Sequence, residues 1–332
     1  MSTSLPWQAE ALTFYTNLYR QGELAHGYLI DDSPGDGRAN CVRAIAATIL
    51  CQETVTGGCQ TCSACKLLSA GSHADMLWVA PEGSTQIKIE QVRSAIAWSQ
   101  KTPQQGRAKV LIIDPAENMN LFATNSLLKL LEEPSGDTYL FLLSKNTAKL
   151  LPTVRSRCQI LNLNTPSFSE GVEWLKGLHP ELKPESLLTI YELSGQKPQV
   201  AKDIIDQGLT QFYLDCVSVL GEWIAGNTSA IVAAKTLHSK EDLAAPYDIL
   251  FRATVFALRS SLTAISRQSH GFQVLVEGLM RSTSPGRLIA LNTRCVTYKN
   301  LALSDHNLNP QLTLEAFLIE CYRSDRDLLV QA

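Results

Sequence analysis

The sequence predicts an α/β domain built on a parallel sheet, followed by two helical domains. In the first half, short apolar segments of strand length alternate with segments of helical periodicity, and in the second half the strand pattern stops. Such alternation is typical of a parallel sheet covered by helices on both faces. The 332 residues, 45% hydrophobic and 18% charged, are enough for more than one core and too apolar for a disordered chain.

The elements of the first domain follow one another in a regular order. A helix over residues 7–20 precedes the first strand, and Pro134 ends the last long helix. The predicted strands are 27–30, 76–80, 109–114, 139–144 and 158–163, and the predicted helices between them are 38–50, 89–100 and 121–133.

After Pro166 the apolar residues recur at helical spacing only. We expect helices over 168–178 and 184–194, a turn at 195–198, and longer helices that include 249–262 and 312–322. The prediction is therefore an α/β domain over 1–165, a small helical domain over 166–206 and a larger helical domain over 207–332.

Charge and apolar runs exclude several classes of protein. A net charge of −3 and a pI near 6.1 argue against a nucleic-acid binder that acts alone. The longest apolar runs have strand length, which is too short to cross a membrane. Residues 1–6 lack the basic segment that opens a secretion signal. We expect a cytoplasmic protein without membrane contact.

The nine cysteines indicate a metal site rather than a disulfide framework, because their number is odd and no export signal is visible. Cys59, Cys62 and Cys65 form two overlapping C-x-x-C steps, Cys51 lies eight residues upstream, and glycines at 57 and 58 let the chain fold back. This spacing predicts a closed structural Zn²⁺ site in an insertion over 51–65. Redox-active thiols are the alternative, and His73 is a less well-spaced substitute ligand. The other cysteines are expected to be mostly small buried hydrophobes: Cys41, Cys158, Cys216, Cys295 and Cys321.

Residues 32–39 lie where a phosphate-binding loop of the form G-x-x-x-x-G-K-[ST] is expected, between a strand and a helix. Asp32 replaces the first glycine, Arg38 replaces the lysine and Ala39 replaces the hydroxyl residue, whereas Gly37 is kept and Gly35 precedes it. Acidic residues at 31, 32 and 36 would repel a polyphosphate. We interpret the segment as a relic phosphate loop; an ordinary strand–helix turn is the alternative.

The strand over 109–114 resembles one that ends in a magnesium-binding aspartate, here Asp114. The glutamate that would polarise the attacking water is replaced by Pro115, and Glu117 is two residues too far along. These replacements predict a chain without ATPase activity of its own.

Three segments carry a resemblance to a known family. They are residues 24–30 (Leu-Ala-His-Gly-Tyr-Leu-Ile), 125–134 (Asn-Ser-Leu-Leu-Lys-Leu-Leu-Glu-Glu-Pro) and 156–158 (Ser-Arg-Cys), in addition to the four cysteines. Together they resemble the AAA+ clamp loaders of bacterial DNA polymerase III, and the altered phosphate loop resembles that of the delta-prime subunits. The resemblance covers the first two predicted domains; the last third matches in length and helical character.

The resemblance implies an AAA+-like domain with an inserted zinc knuckle, a helical lid over 166–206 and a helical collar over 207–332 that joins the subunits. Ser156 and Arg157 would face ATP bound by a neighbouring gamma/tau subunit, with Arg157 as an arginine finger in trans and Arg155 as its competitor. Residues 195–198 carry no sensor arginine. The implied partners are gamma/tau and delta subunits and, through the complex, the sliding clamp and primed DNA.

Two other functions remain open at this stage. A divergent gamma-type ATPase would hydrolyse ATP alone, in a reaction abolished by Asp114→Ala. A zinc-dependent nucleic-acid-binding module would bind DNA tightly and in a salt-sensitive way. The preferred reading is a subunit that belongs to the DNA polymerase III holoenzyme without ATPase or polymerase activity of its own. The fragment 207–332 is expected to retain assembly with gamma/tau.

Overall fold

The computed structural model of the chain describes residues 5–31, 35–53, 56–105, 107–238, 242–262, 270–282, 284–304 and 308–326. The chain forms two compact units, Met1–Glu170 and Gly171–Ala332. The first unit contains every strand found in the described residues. The further division of the second unit into a lid and a collar stays a prediction.

The first unit follows the predicted order of strands and helices closely. Two short helices, α3 within the cysteine-rich insertion and α6 before the last strand, were not predicted. The elements are α1 (Ala9–Gln21, preceded by a 3-10 turn at Pro6–Gln8), β1 (Gly27–Asp31), α2 (Arg38–Leu50), α3 (Ser63–Ser69), β2 (Met76–Val79), α4 (Ile89–Ser99), β3 (Lys109–Ile113), α5 (Leu121–Glu132), β4 (Thr138–Ser144), α6 (Pro152–Arg155) and β5 (Gln159–Ile160).

The five strands form one parallel sheet in the order β2-β3-β4-β1-β5. Alternate residues of β1 point to opposite faces: Tyr28 and Ile30 join a core with α1 and α2, whereas Leu29 joins a core with α4 and α5. Two covered faces confirm the predicted architecture. Because all the strands are parallel, the segments that follow β1 and β3 leave the sheet at the same edge.

The last strand is much shorter than the predicted 158–163. Leu161 still donates a backbone hydrogen bond to Leu29 of β1, at 3.0 Å. The next backbone N–H, at Asn162, instead donates to the hydroxyl of Tyr15 on α1, at 3.1 Å. The strand ladder therefore stops, although Leu161 and Leu163 remain buried in the core.

The described part of the second unit is helical throughout, as predicted. Within it, the helix over Ala245–Leu262 packs against those over His270–Ser282 and Pro285–Ala302, and the helix over Pro184–Leu193 packs against those over Thr210–Ile224, Ala245–Leu262 and His270–Ser282. No helix in the described ranges is both long and apolar enough to span a membrane. The helices are α7 (Phe168–Leu178, which begins in the last residues of the first unit), α8 (Pro184–Leu193), α9 (Pro198–Asp206), α10 (Thr210–Ile224), α11 (Ala230–Leu237), α12 (Ala245–Leu262), α13 (His270–Ser282), α14 (Pro285–Ala302) and α15 (Pro310–Arg326).

Candidate functional site

In the turn between β1 and α2, the side chain of Arg38 contacts two acidic residues of the same turn, Asp31 and Asp36. Arg38 donates a hydrogen bond from Nη1 to the carbonyl oxygen of Asp31. Its Nη2 lies 3.6 Å from Oδ2 of Asp36, and its Nη1 lies 4.0 Å from Oδ2 of Asp31. The arginine side chain is only 14% exposed. The positive charge at the lysine position of a phosphate loop is thus directed to carboxylates of the same turn.

The same turn is tied to the start of the chain. The side chains of Trp7 and Gln8 donate hydrogen bonds to the carbonyl oxygen of Asp36, at 3.2 and 3.1 Å. Gly35 and Gly37 adopt φ of 92° and 73°, which favours glycine. Asp32, which replaces the first glycine of a phosphate loop, lies outside the described residues.

Asp114 follows β3 at the same edge of the sheet. Burial raises the pKa of its carboxyl group, although the positive charges of Lys145 and Arg43 act to lower it. Glu117, the candidate substitute for the missing glutamate, accepts a hydrogen bond from the backbone N–H of Lys145, at 3.1 Å. That oxygen therefore has a structural partner in the backbone that follows β4.

The four cysteines of the predicted zinc site come together. Their sulfur atoms all lie within 4.8 Å of one another, and the Sγ atoms of Cys59 and Cys65 are 3.9 Å apart. Tetrahedral zinc with Zn–S bonds of about 2.3 Å would separate its sulfur ligands by about 3.8 Å. Cys51 ends α2 and Cys62 begins α3, so two helix ends position the cluster. The donor set and the spacing fit a structural Zn²⁺ ion.

Backbone N–H groups of the insertion donate hydrogen bonds to the sulfur atoms of three of the four cysteines. Cys59 N–H donates to Cys51 Sγ at 3.4 Å, Cys62 N–H to Cys59 Sγ at 3.3 Å, and Cys65 N–H to Cys62 Sγ at 3.4 Å. A side chain at Gly58 would place its Cβ only 3.0 Å from Cys65 Sγ. Glycine at this position therefore avoids a steric clash with that sulfur.

The alternative ligand, His73, is not part of the cluster. Its Nδ1 accepts a hydrogen bond from the backbone N–H of Asp75, at 3.1 Å. The isolated cysteines behave largely as predicted, since Cys41, Cys216, Cys295 and Cys321 are buried and Cys158 is half-buried.

Arg157 is held in a defined orientation at the surface. Its Nε donates to Oε1 of Glu132 at 2.7 Å, and its Nη2 lies 2.5 Å from the same oxygen. Its Nη1 donates to the carbonyl oxygen of Thr153, at 2.9 Å. The hydroxyl of Ser156 donates to that carbonyl as well, at 3.2 Å. Both residues of the Ser-Arg pair are therefore anchored on α6.

Two residues of the segment 24–30, His26 and Gly27, lie against the end of α5, and Gly27 also lies close to the backbone of Arg157. His26 donates a hydrogen bond from Nε2 to the carbonyl oxygen of Leu131, at 2.8 Å. A Cβ on Gly27 would lie 3.2 Å from a methyl carbon of Leu131 and 3.7 Å from the carbonyl oxygen of Arg157. The start of β1, the end of α5 and the Ser-Arg-Cys turn thus converge on one seat, which we call the Arg157 seat (His26, Gly27, Leu131, Glu132 and Thr153).

Arg155, the competitor, differs in its surroundings. It is exposed, and its guanidinium makes no hydrogen bond or ion pair with any residue that the structure describes. Sequence reasoning gave no role to Glu132 or His26, although both lie in the segments that carried the family resemblance. Their contacts join residues far apart in the chain, and no local pattern signals them.

A second feature missed by the sequence is an arginine beside the turn at 195–198. The guanidinium of Arg252, on α12, lies against Gly195, where an added Cβ would meet Nη1 at 1.9 Å. Burial lowers the pKa of Arg252. Residues 195–198 include no arginine, as the sequence shows. Arg252, more than fifty positions later in the chain, lies beside them instead.

The sheet order, the turn after β1 and the cysteine insertion define a parallel α/β domain with an inserted four-cysteine cluster. Comparison with known proteins narrows this class. The family described as "DNA polymerase III, delta subunit" matches residues 7–167. The DNA polymerase III subunit delta' of Pseudomonas aeruginosa is 32% identical over 325 residues, which cover 96% of this chain and 98% of the relative. The Escherichia coli subunit delta' is 32% identical and covers 59% of each chain.

The chain therefore belongs to the family of DNA polymerase III delta-prime subunits. Among solved structures, a gamma subunit-related protein of Thermotoga maritima aligns over 94% of this chain and 99% of its own, with 19% identity and a TM-score of 0.46. The clamp loader delta protein of Bacillus subtilis has the same coverage, 13% identity and a TM-score of 0.36.

Proposed function

We propose that this chain is a non-hydrolysing subunit of the DNA polymerase III clamp loader and supplies Arg157 in trans to ATP bound by a neighbouring gamma/tau subunit. The observation that carries the proposal is the Arg157 seat. The side chain of Arg157 is 35% exposed there and is anchored on one side by Glu132 and on another by the Thr153 carbonyl.

The chemistry of phosphoryl transfer explains why such an arginine matters. Negative charge on the γ-phosphate oxygens must be stabilised in the transition state, and a fixed guanidinium does this without reorganisation. An arginine finger is worth about 10³–10⁵-fold in rate at the site it serves. Ser156 would assist indirectly, since its hydroxyl shares the Thr153 carbonyl with Arg157.

Three features of the chain's own nucleotide site support the absence of hydrolysis. Arg38 is engaged by Asp31 and Asp36 rather than free to meet a phosphate. Ala39 offers no hydroxyl to magnesium, and Pro115 offers no carboxylate to an attacking water. We infer that ATP is bound and hydrolysed by partner subunits.

We further propose that the four-cysteine cluster holds a structural Zn²⁺ ion. When bound, the ion would link the end of α2 to the start of α3 and so fix the insertion on the sheet domain. Four thiolates leave no position for a reacting water, so the role is structural. The mutual distances of the sulfur atoms support this reading.

The remaining parts of the proposal concern assembly. Residues 166–206 would act as a lid and residues 207–332 as a collar that joins this chain to the gamma/tau and delta subunits. The sliding clamp and primed DNA would be reached through the complex. A net charge of −3 supports this indirect role, because a protein that binds DNA alone usually carries a basic surface. A cytoplasmic location agrees with this role.

The test is ATP turnover by a reconstituted loader that contains wild-type chain, Arg157→Ala or Arg155→Ala, stimulated by clamp and primed DNA. We expect Arg157→Ala to remove about the share of one ATPase site, because the arginine serves one neighbour. Arg155→Ala is the matched control and should leave turnover within about twofold. The isolated wild-type chain should show background turnover only.

Assembly of each variant is checked by gel filtration before the rates are compared. Unchanged turnover with Arg157→Ala in an intact complex would refute the arginine-finger proposal. A loss confined to Arg155→Ala would transfer the role to that residue. Turnover by the isolated chain that Asp114→Ala abolishes would instead make it an ATPase.

A further inference from the structure

The hydrogen bonds of Arg157 leave part of its guanidinium available. A guanidinium group has five N–H donors, one on Nε and two on each terminal nitrogen. Nε and one N–H of Nη2 face Oε1 of Glu132, and one N–H of Nη1 donates to the Thr153 carbonyl. One N–H therefore remains on Nη1 and one on Nη2, and such a pair can grip two phosphate oxygens at once.

Glu132 is itself held in place by the fold. It is the last residue of α5, and the carbonyl oxygen of the preceding Leu131 accepts the hydrogen bond from His26. Leu131 is buried, and the backbone N–H of Glu133 still donates to Lys129 at 3.0 Å before Pro134 stops the helix. The carboxylate that meets Arg157 thus projects from a packed helix end rather than from a loop.

The ion pair with Glu132 orients Arg157 and still leaves its guanidinium able to bind a phosphate. The side chains of Arg157 and Glu132 are 35% and 50% exposed, so water screens their attraction and the contact can adjust when a phosphate arrives. A long arginine side chain without such a partner would occupy many rotamers, as Arg155 is free to do. Ordering the guanidinium before ATP is met reduces the entropy that is lost in the transition state.

We propose that Glu132 is a positioning residue for Arg157: it holds the guanidinium with one free N–H on each terminal nitrogen, directed away from the subunit toward a neighbour's nucleotide. The inference rests on the proposed function and goes beyond it, because it assigns a role to a residue that touches neither ATP nor the neighbour's chemistry.

The experiment uses the reconstituted loader and first defines the Arg157-dependent turnover, which is the part that Arg157→Ala removes. Glu132→Ala should remove at least about nine-tenths of it, since small misplacements of a catalytic group cost roughly 10- to 100-fold. The KM for ATP should not change, because the neighbour binds the nucleotide. Glu132→Gln should retain more turnover than Glu132→Ala, because its side-chain oxygen still accepts a hydrogen bond from Nε of Arg157.

Two controls make the result specific. Glu133→Gln removes the same charge one residue away, at an exposed side chain, and should leave the Arg157-dependent turnover intact. In an Arg157→Ala background, Glu132→Ala should have no further effect, whereas a residue needed only for folding or assembly would still lower the rate.

Several results would overturn the assignment. They are an unchanged rate with Glu132→Ala, an equal loss in both backgrounds, and a rate that rises because Glu132 withholds the arginine. Failure of the proposed function itself gives a different pattern. In that case Arg157→Ala has no effect in an intact complex, and no Arg157-dependent turnover exists for Glu132 to support.

Discussion

Among single residues, the cysteines show how the surroundings of a side chain prepare it for a role. Hydrogen bonds from Thr61 and from the backbone of Cys62 lower the pKa of Cys59 to about 6, whereas burial raises the pKa of Cys65 to about 12. The opposite shifts arise because hydrogen bonds stabilise the thiolate of Cys59, whereas burial disfavours the charged form of Cys65. A bound dication would favour the thiolate at both positions, because metal ligation replaces the proton.

We expect one zinc ion per chain in the purified protein, measured by elemental analysis. Cys62→Ser should reduce the zinc content to below roughly a tenth of this value, because serine is a poor zinc ligand and three sulfurs leave the site open. Cys216→Ser, which alters an isolated cysteine in the second unit, should retain zinc fully. A wild-type protein that is folded and free of metal would contradict the expectation.

At the scale of helices and strands, α7 carries two glycines in very different surroundings. An added Cβ at Gly171 would lie 2.1 Å from the hydroxyl oxygen of Tyr191 on α8, which is 0% exposed. An added Cβ at Gly177, on the same helix, would meet nothing within 4 Å. The close packing of α7 on α8 therefore depends on the absence of a side chain at one position only.

We expect Gly171→Ala to lower the free energy of unfolding of the second unit by about 1–3 kcal/mol, because the buried tyrosine must move to admit the methyl group. Gly177→Ala should leave it unchanged or raise it by about 0.5–1 kcal/mol, since alanine favours a helix over glycine. Denaturant unfolding measures both. Equal effects of the two substitutions would mean that α7 and α8 do not pack as closely as described.

The strands and helices also show where periodicity predicts well. The apolar pattern located β1 to β4, and those helices for which it predicted bounds, within a few residues of their observed ends. It failed at β5, where Tyr15 takes the backbone N–H of Asn162, and at α3, where the C-x-x-C spacing dominated the interpretation. At β5 a tyrosine hydroxyl accepts a backbone N–H that would otherwise extend the strand pairing, and hydrophobic patterning does not register such a bond.

At the scale of the whole molecule, the packing of α8 within the second unit bears on where a stable C-terminal fragment begins. The predicted lid and collar meet at residue 206, but α8 packs against α10, α12 and α13. Leu187, Ile190 and Tyr191 on α8 are buried. A cut at 207 would thus remove side chains that complete the core of the remaining helices.

We expect the fragment 171–332 to unfold cooperatively and to co-purify with gamma/tau subunits. The fragment 207–332 should be less stable by about 5 kcal/mol, because burying each large apolar side chain contributes about 1.5–3 kcal/mol. Thermal unfolding and co-purification compare the two. If the shorter fragment matches the longer one in both respects, the lid and the collar are independent, and the boundary at 206 is a true domain boundary.

The sequence by itself determined the fold class, the order of the elements, the cluster of four cysteines and the position of the glycine-containing turn after β1. These features depend on residues close together in the chain, where periodicity and spacing are informative. Only the tertiary structure decided how Arg157 is held, because Glu132 lies 25 residues before it and His26 reaches Leu131 across 105 residues. Such contacts depend on β1 lying between β4 and β5 in the sheet, and this order follows from packing of the whole domain rather than from any local pattern.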